Sequence, residues 1–218
     1  MSDKVAVILS GSGVFDGSEL HEAVALLMAL AQCGQDYHCY APDIDQIEVV
    51  DHLKQTAVPN EKRSVLQESA RIARGKVLPL TEAVAHDVNA AFFPGGFGVA
   101  KQLSDFARSG DAMSVQEDVL AFGRAMVALH KPMGFMCIAP ILMPHFYPQG
   151  IRCTVGDQGE VADAIAHMGG VHVVAQASEV VVDSKHLAAS TPAYMLAEHP
   201  SEVLSAAQAL VKHILTWL

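Results

Sequence analysis

Positive charge is scarce in this chain: 14 Lys and Arg stand against 24 Asp and Glu, a formal net charge of −10 over 218 residues. The basic residues are scattered and form no stripe. That excludes the usual electrostatic footprint of a nucleic-acid partner and argues against an anionic membrane surface. Long apolar runs are also missing: the longest on a helix, residues 23–31, is too short to span a bilayer. The sequence opens with Ser2, Asp3 and Lys4 and then a strand, without a basic segment leading into a long apolar one. No secretory signal is read there, and cytoplasmic residence is expected. Cysteine is sparse: Cys33, Cys39, Cys137 and Cys153 form no C-x-x-C pair and no Cys/His cluster at zinc spacing. This argues against a disulfide framework and fits free thiols in a reducing compartment. No metal is implied.

What is present is a chain 51% hydrophobic and 17% charged, long enough to bury a core without staples. Strands are expected over residues 4–9, Tyr37–Ala41, Ala90–Phe93, 132–136, 151–155, 171–174, 179–183 and 187–190, the last two as a hairpin turning at Ser184-Lys185. Helices are expected from Ser18, as a cap, to about Cys33, over 64–74, a short one near Thr81, then over 115–130, 161–168 and 201–217. Residues 47–58 fit neither pattern. Several strands are apolar throughout, the mark of a parallel sheet covered on both faces. The alternating order predicts a doubly wound α/β fold in one domain.

In such a sheet, ligands bind beyond the carboxyl ends of the strands. Cys137 falls there. It ends the run Pro132-Met133-Gly134-Phe135-Met136, and Ala139-Pro140 then reads as the first turn of a helix. A thiol at that corner lies near free N–H groups and the positive end of a helix dipole, which predicts a lowered pKa and a nucleophile. Ala139 supplies the small residue two after the cysteine that a nucleophile elbow favours, whereas Phe135 departs from the pattern two before it. The other three cysteines read as small buried hydrophobes.

Two further loops fall at the same edge. Pro94-Gly95-Gly96-Phe97-Gly98 lets backbone N–H groups approach a reacting oxygen. Ser10 to Glu19 leads into the first helix, and Glu19 reads either as a proton-transferring carboxylate or as a first-turn acid that complements the helix dipole. The same loop contains Gly11, Gly13 and Gly17, a loose relative of the dinucleotide fingerprint. Asp43 or Asp45 would then meet a ribose, but Asp16 occupies the position of the standard third glycine. His21, His145, His167 and His172 form no metal-ligand pair, and no Cys-His-acid triad assembles.

These loops, with Asp16-Gly17-Ser18-Glu19-Leu20-His21-Glu22-Ala23, Ala41-Pro42-Asp43, Pro94 to Lys101, Gly134 to Pro140 and Thr191-Pro192-Ala193-Tyr194-Met195-Leu196, resemble the ThiJ/PfpI group of the class I glutamine amidotransferase-like superfamily. The match is close to its ElbB-type proteins, which are linked by name to isoprenoid biosynthesis and described as glyoxalases. The resemblance implies one flavodoxin-like domain over 1–218, a homodimer, Cys137 as nucleophile and Glu19 as the carboxylate beside it. It implies an oxyanion hole from the N–H groups of Gly96 and Ile138, within a substrate loop that includes Gly95 and Gly98. Glutaminases and PfpI-type proteases of this superfamily carry a histidine directly after the cysteine. Here that residue is Ile138, which argues against a triad hydrolase. The expected activity is cofactor-free conversion of glyoxal or a related dicarbonyl to a 2-hydroxy acid, with Glu19 shuttling a proton. The alternative is a redox or stress sensor built on an oxidisable Cys137.

Overall fold

The computed structural model describes residues 4–218. The reading of no leader segment rests partly on residues 1–3, outside the described residues. In chain order the elements are β1 (Val5–Ile8), α1 (Leu20–Gln32), β2 (Tyr37–Ala41), β3 (Val50–Asp51), β4 (Thr56–Ala57), α2 (Val65–Ile72), β5 (Val77–Pro79) and β6 (Ala90–Phe93). There follow α3 (Phe106–Ser109), α4 (Glu117–Ala128), β7 (Met133–Met136), α5 (Met143–Phe146), β8 (Arg152–Cys153), α6 (Glu160–His167), β9 (Val171–His172), β10 (Val181–Asp183), β11 (Ala188–Thr191) and α7 (Pro200–Leu215).

Seven strands form one sheet in the order β10-β11-β7-β6-β1-β2-β5. All neighbours run parallel except β10 and β11, which form the expected antiparallel hairpin. From β1 the chain builds outward to β2 on one side and to β6 on the other, so the switch point lies between β1 and β6. Every residue of β1, β6, β7 and β11 is buried, and β1, β6 and β7 accordingly carry no polar side chain and no alternation.

Neighbouring residues of one strand serve opposite faces. Phe93 stacks on Phe135 at 5.0 Å and meets Phe146 of α5. Phe92 turns the other way, toward the face that α7 covers, where a side chain on Gly134 would strike both it and Ile214. α1 packs alongside α7 on that second face.

Residues 47–58 resolve into the β3–β4 hairpin. The strands expected over 151–155 and 171–174 shorten to β8 and β9, which pair with each other outside the main sheet. Side chains take the N–H groups at this end of the chain: Asp183 accepts from Arg152 at 3.0 Å and Ser190 accepts from Thr154 at 2.9 Å. Ser18 does not cap α1. Its hydroxyl accepts from the Ser10 N–H at 2.9 Å, and Glu19 takes the cap.

Candidate active site

The elbow forms where β7 ends. Cys137 has φ 60°, in the left-handed region that a side chain normally avoids. Its N–H donates to the Thr191 carbonyl at the end of β11 (2.9 Å), which fixes the corner between two parallel strands. A 3₁₀ turn, Ala139–Leu142, follows with Pro140 in its first turn, as expected. Cys137 as a residue is 8% exposed.

The Gly-rich loop after β6 closes over the thiol. A side-chain carbon on Gly95 would lie 2.4 Å from Cys137 Cβ, 2.9 Å from its Sγ and 2.6 Å from Glu22 Oε2, so only glycine fits. Gly96 has φ +98°, and a side chain there would strike the Glu19 N–H at 2.3 Å. The N–H groups of Gly96 and Ile138, the two expected oxyanion donors, both hydrogen-bond the Cys137 sulfur. Gly98 is not brought to the thiol. It packs on the first loop, donating to the Gly17 carbonyl at 2.8 Å, and a side chain on it would meet Ser10 Oγ.

The carboxylate beside the cysteine is Glu22, not Glu19. Glu22 is fully buried and hydrogen-bonds Cys137. Its two oxygens also accept from Gly95 N–H at 2.9 Å and Tyr194 N–H at 3.2 Å. Glu19 is the N-cap of α1: its Oε2 accepts the Glu22 N–H at 2.7 Å. The physical reason is helix geometry. Side chains tilt toward the helix N-terminus, so an acid three residues into α1 reaches back over the sheet edge while the cap residue is held by its own helix.

Electrostatics correct a second expectation. Burial, then the charge of Glu22, push the Cys137 thiol up rather than down. The N–H groups of Gly96 and Ile138 pull the other way and lose, because the thiol is desolvated and only a short turn follows it. Burial, then the neighbouring Glu19, raise Glu22 to about 7, against the hydrogen bonds it receives. Both partners resist ionisation, so the pair retains a proton, and a thiolate forms by handing its proton to Glu22.

Most N–H groups of the loop 10–19 already have partners. Ser10 N–H goes to Ser18 Oγ, Gly11 N–H to Ser69 Oγ, and Gly13 N–H to the Ser18 carbonyl. Asp16 is buried, and its carboxylate takes the Val50 N–H at 2.8 Å, tying the β3–β4 hairpin to the loop. A pyrophosphate would find these N–H groups occupied, which argues against the dinucleotide reading.

Two residues without an expected role stand next to Glu22. Tyr194 supplies the N–H already described, and its hydroxyl meets His21 Nδ1 at 2.6 Å. His21 Nδ1 also lies 4.0 Å from Glu19 Oε1. His145 is half-buried against Met168, His167 pairs with Asp111, and none of the three reaches Cys137 as a triad partner. Among the described residues, no group of three or more His, Cys, Asp or Glu is arranged to hold a metal, and no helix is long and apolar enough to cross a membrane. A concavity of about 920 Å³ lies at the opposite end of the strands around Tyr37, Cys39 and Gly75, away from Cys137.

No family model matches the chain. The chain is 40% identical over 221 residues to the ES1 protein homolog, mitochondrial, of Rattus norvegicus, covering 97% of this chain and 83% of that one. It is 42% identical over 201 residues to the human glutamine amidotransferase-like class 1 domain-containing protein 3, mitochondrial, covering 88% and 75%. A crystal structure from Ehrlichia chaffeensis, described as an isoprenoid biosynthesis protein with an amidotransferase-like domain, superposes with a TM-score of 0.91 at 32% identity, covering 99% and 100%. A DJ-1 superfamily protein of Salmonella typhimurium has the same fold at TM-score 0.60 and 21% identity, covering 98% and 91%.

Proposed function

The chain belongs to the ES1, or glutamine amidotransferase-like class 1, family of the ThiJ/PfpI group, and from that premise we propose that it is a cofactor-free glyoxalase acting on small dicarbonyls. The observation that carries this reading is the buried Cys137–Glu22 pair facing the N–H groups of Gly96 and Ile138.

The sulfur attacks one aldehyde carbon of glyoxal while Glu22 takes the thiol proton. The oxygen that gains charge meets the two N–H groups, which stabilise it in a water-poor site. Glu22 returns the proton to that oxygen, leaving a neutral hemithioacetal. Glu22, again a carboxylate, then removes the C–H proton and delivers it to the neighbouring carbon through an enediol. The product is a thioester isomeric with the adduct, so no redox partner is needed. Water hydrolyses it to glycolate and frees the thiol. A carboxyl group raised to about 7 is matched to taking and giving a proton near neutral pH. Ile138 supports isomerisation over triad hydrolysis, since no imidazole follows the nucleophile.

A homodimer belongs to the same reading, taken from the family. α1 keeps Leu20, Val24 and Met28, each one turn apart, exposed along one face. Cytoplasmic residence also stays part of this reading; the mitochondrial names belong to the rat and human relatives.

The test is glycolate formation from glyoxal by the wild type and by Cys137→Ala. Turnover that disappears in the variant supports the reading; an alanine variant with an unchanged rate removes it.

One observation favours a second reading. A carboxyl group raised to about 7 keeps a protonated fraction near neutral pH, which would hydrogen-bond a sulfinate formed by peroxide on the thiol beside it. Intact-mass spectra after mild peroxide, showing two added oxygens at Cys137 with negligible dicarbonyl turnover, would favour this sensor role.

A further inference from the structure

The Cys137–Glu22 pair has a supply problem. Glu22 is fully buried and Cys137 is nearly so, yet the isomerisation moves protons onto and off two substrate oxygens as well as carbon. Gly96 and Ile138 provide N–H groups that hydrogen-bond an oxyanion but do not release a proton to it. A group that exchanges protons with water is needed on the open side.

Tyr194 and His21 are placed there. The Tyr194 N–H is bonded to Glu22 Oε1, which sets the root of this side chain against the reacting carboxylate. Its hydroxyl reaches outward to His21 Nδ1 at 2.6 Å, with the rings 5.7 Å apart. The His21 side chain is 58% exposed, so water reaches it freely. The segment is also held under strain. Ala193, immediately before Tyr194, has φ +46°, a conformation that costs on the order of 1–3 kcal/mol in a non-glycine residue and persists only where surrounding bonds enforce it. The Ala193 N–H donates to the Ala177 carbonyl at 2.9 Å and fixes that bend.

We propose that Tyr194 is a second acid–base group of this site and that His21 acts through it, exchanging its proton with solvent. This rests on the dicarbonyl reading above and assigns the oxygen chemistry that Glu22 leaves undone. As Glu22 removes the C–H proton of the hemithioacetal, the electron pair becomes the enediol C=C bond, and the neighbouring aldehyde oxygen takes the Tyr194 hydroxyl proton. His21 reprotonates the tyrosinate. When Glu22 protonates the neighbouring carbon, the first carbon becomes the thioester carbonyl and its hydroxyl proton leaves through Tyr194 to His21. Protons and electrons balance without a co-reactant.

The charged groups that meet this relay are Glu19 and Glu22 from α1, which face Tyr194, with Glu19 also 4.0 Å from His21 Nδ1. α7 packs against both α1 and that segment, but its own N-terminal His199 and Glu202 are tied to each other in a capping box. Within this relay Tyr194 is the catalytic residue, beside Cys137 and Glu22, and His21 is a positioning residue that sets its protonation.

Tyr194→Phe and His21→Gln test the inference with two readouts. For glycolate formation, Tyr194→Phe is expected to lower kcat about 10²-fold, and His21→Gln to remove one limb of the kcat–pH profile. For iodoacetamide alkylation of Cys137 without substrate, both variants are expected to lose the same limb from the pH profile. Wild-type profiles in both variants, while Cys137→Ala abolishes turnover, overturn the relay and leave the dicarbonyl reading standing. A wild type that makes no glycolate, with alkylation limbs that still vanish in the variants, overturns that reading and keeps the relay. Alkylation profiles unchanged in both variants overturn the relay whatever the substrate.

Discussion

Glu22 and Cys137 come from helix α1 and the elbow after β7, and they hydrogen-bond each other out of contact with bulk water. Burial raises the pKa of both, so the pair behaves as one proton-holding unit.

The first consequence is a pH dependence of folding. Glu22 rises from 4.5 to about 7 on folding, so between those values the folded chain holds a proton that the unfolded chain has lost. Stability from this group is fully present below pH 4.5 and is lost as pH climbs through about 7. The full loss is on the order of 3 kcal/mol. Urea denaturation at pH 5 and pH 8 should show it, and Glu22→Gln should flatten that part of the dependence. A wild-type curve rising across this window, with the variant unchanged from it, would contradict the assignment.

Glu19 should behave as a cap with an electrostatic side effect. Glu19→Ala removes the acceptor for the Glu22 N–H and is expected to lower stability by about 1 kcal/mol. Glu19→Gln keeps an acceptor but deletes the charge that raises Glu22, so the Glu22 titration should move down. Thermal melts read the first, and the pH profile of Cys137 alkylation reads the second.

Gly95→Ala forces a carbon to within 2.4 Å of Cys137 Cβ and 2.6 Å of Glu22 Oε2. Overpacking of this kind costs about 1–3 kcal/mol. The variant should fold less stably and lose alkylation and turnover together, because the thiol and the carboxylate must separate. A melt plus an alkylation time course decides this. Gly110→Ala is the control: it has open space around it, and although its φ of +54° adds local strain, it should leave the thiol's reactivity unchanged.

Asp16→Ala should loosen the hairpin without touching the thiol. It leaves the Val50 N–H without its acceptor and removes the link from the first loop to β3, at a cost of about 1–3 kcal/mol. Lys101 holds the same hairpin through Glu48 and the Phe15 carbonyl, so the hairpin should fray rather than detach. Limited proteolysis should show new cleavage near the exposed Leu53, with Cys137 alkylation near wild type.

The parallel sheet was legible because its strands are apolar on both faces, and Tyr37–Ala41 and Ala90–Phe93 fall at the expected bounds. Cys137 was legible because a strand ends there and Pro140 starts the next turn. Glu22 was not, although it stands three residues after Glu19 in the same stretch. Choosing between two acids three residues apart requires knowing which one caps the helix, and the expected cap, Ser18, was already bonded to Ser10. The direction of the thiol's pKa was missed for a related reason. A corner with free N–H groups suggests a thiolate, but desolvation by the Gly95 loop and α1, both remote in sequence, outweighs those N–H groups. The strand expected over 151–155 was over-extended at its end because Ser190, 36 residues away, takes the Thr154 N–H just past β8.

The most direct measurement is the kcat for glycolate formation from glyoxal by Glu22→Gln and Glu19→Gln, beside wild type and with stability checked for each. If Glu22 is the partner of Cys137, Glu22→Gln loses about 10²-fold or more, while Glu19→Gln stays within several-fold of wild type. The reverse order, with Glu19→Gln inactive and Glu22→Gln active, would contradict the pairing on which this account rests.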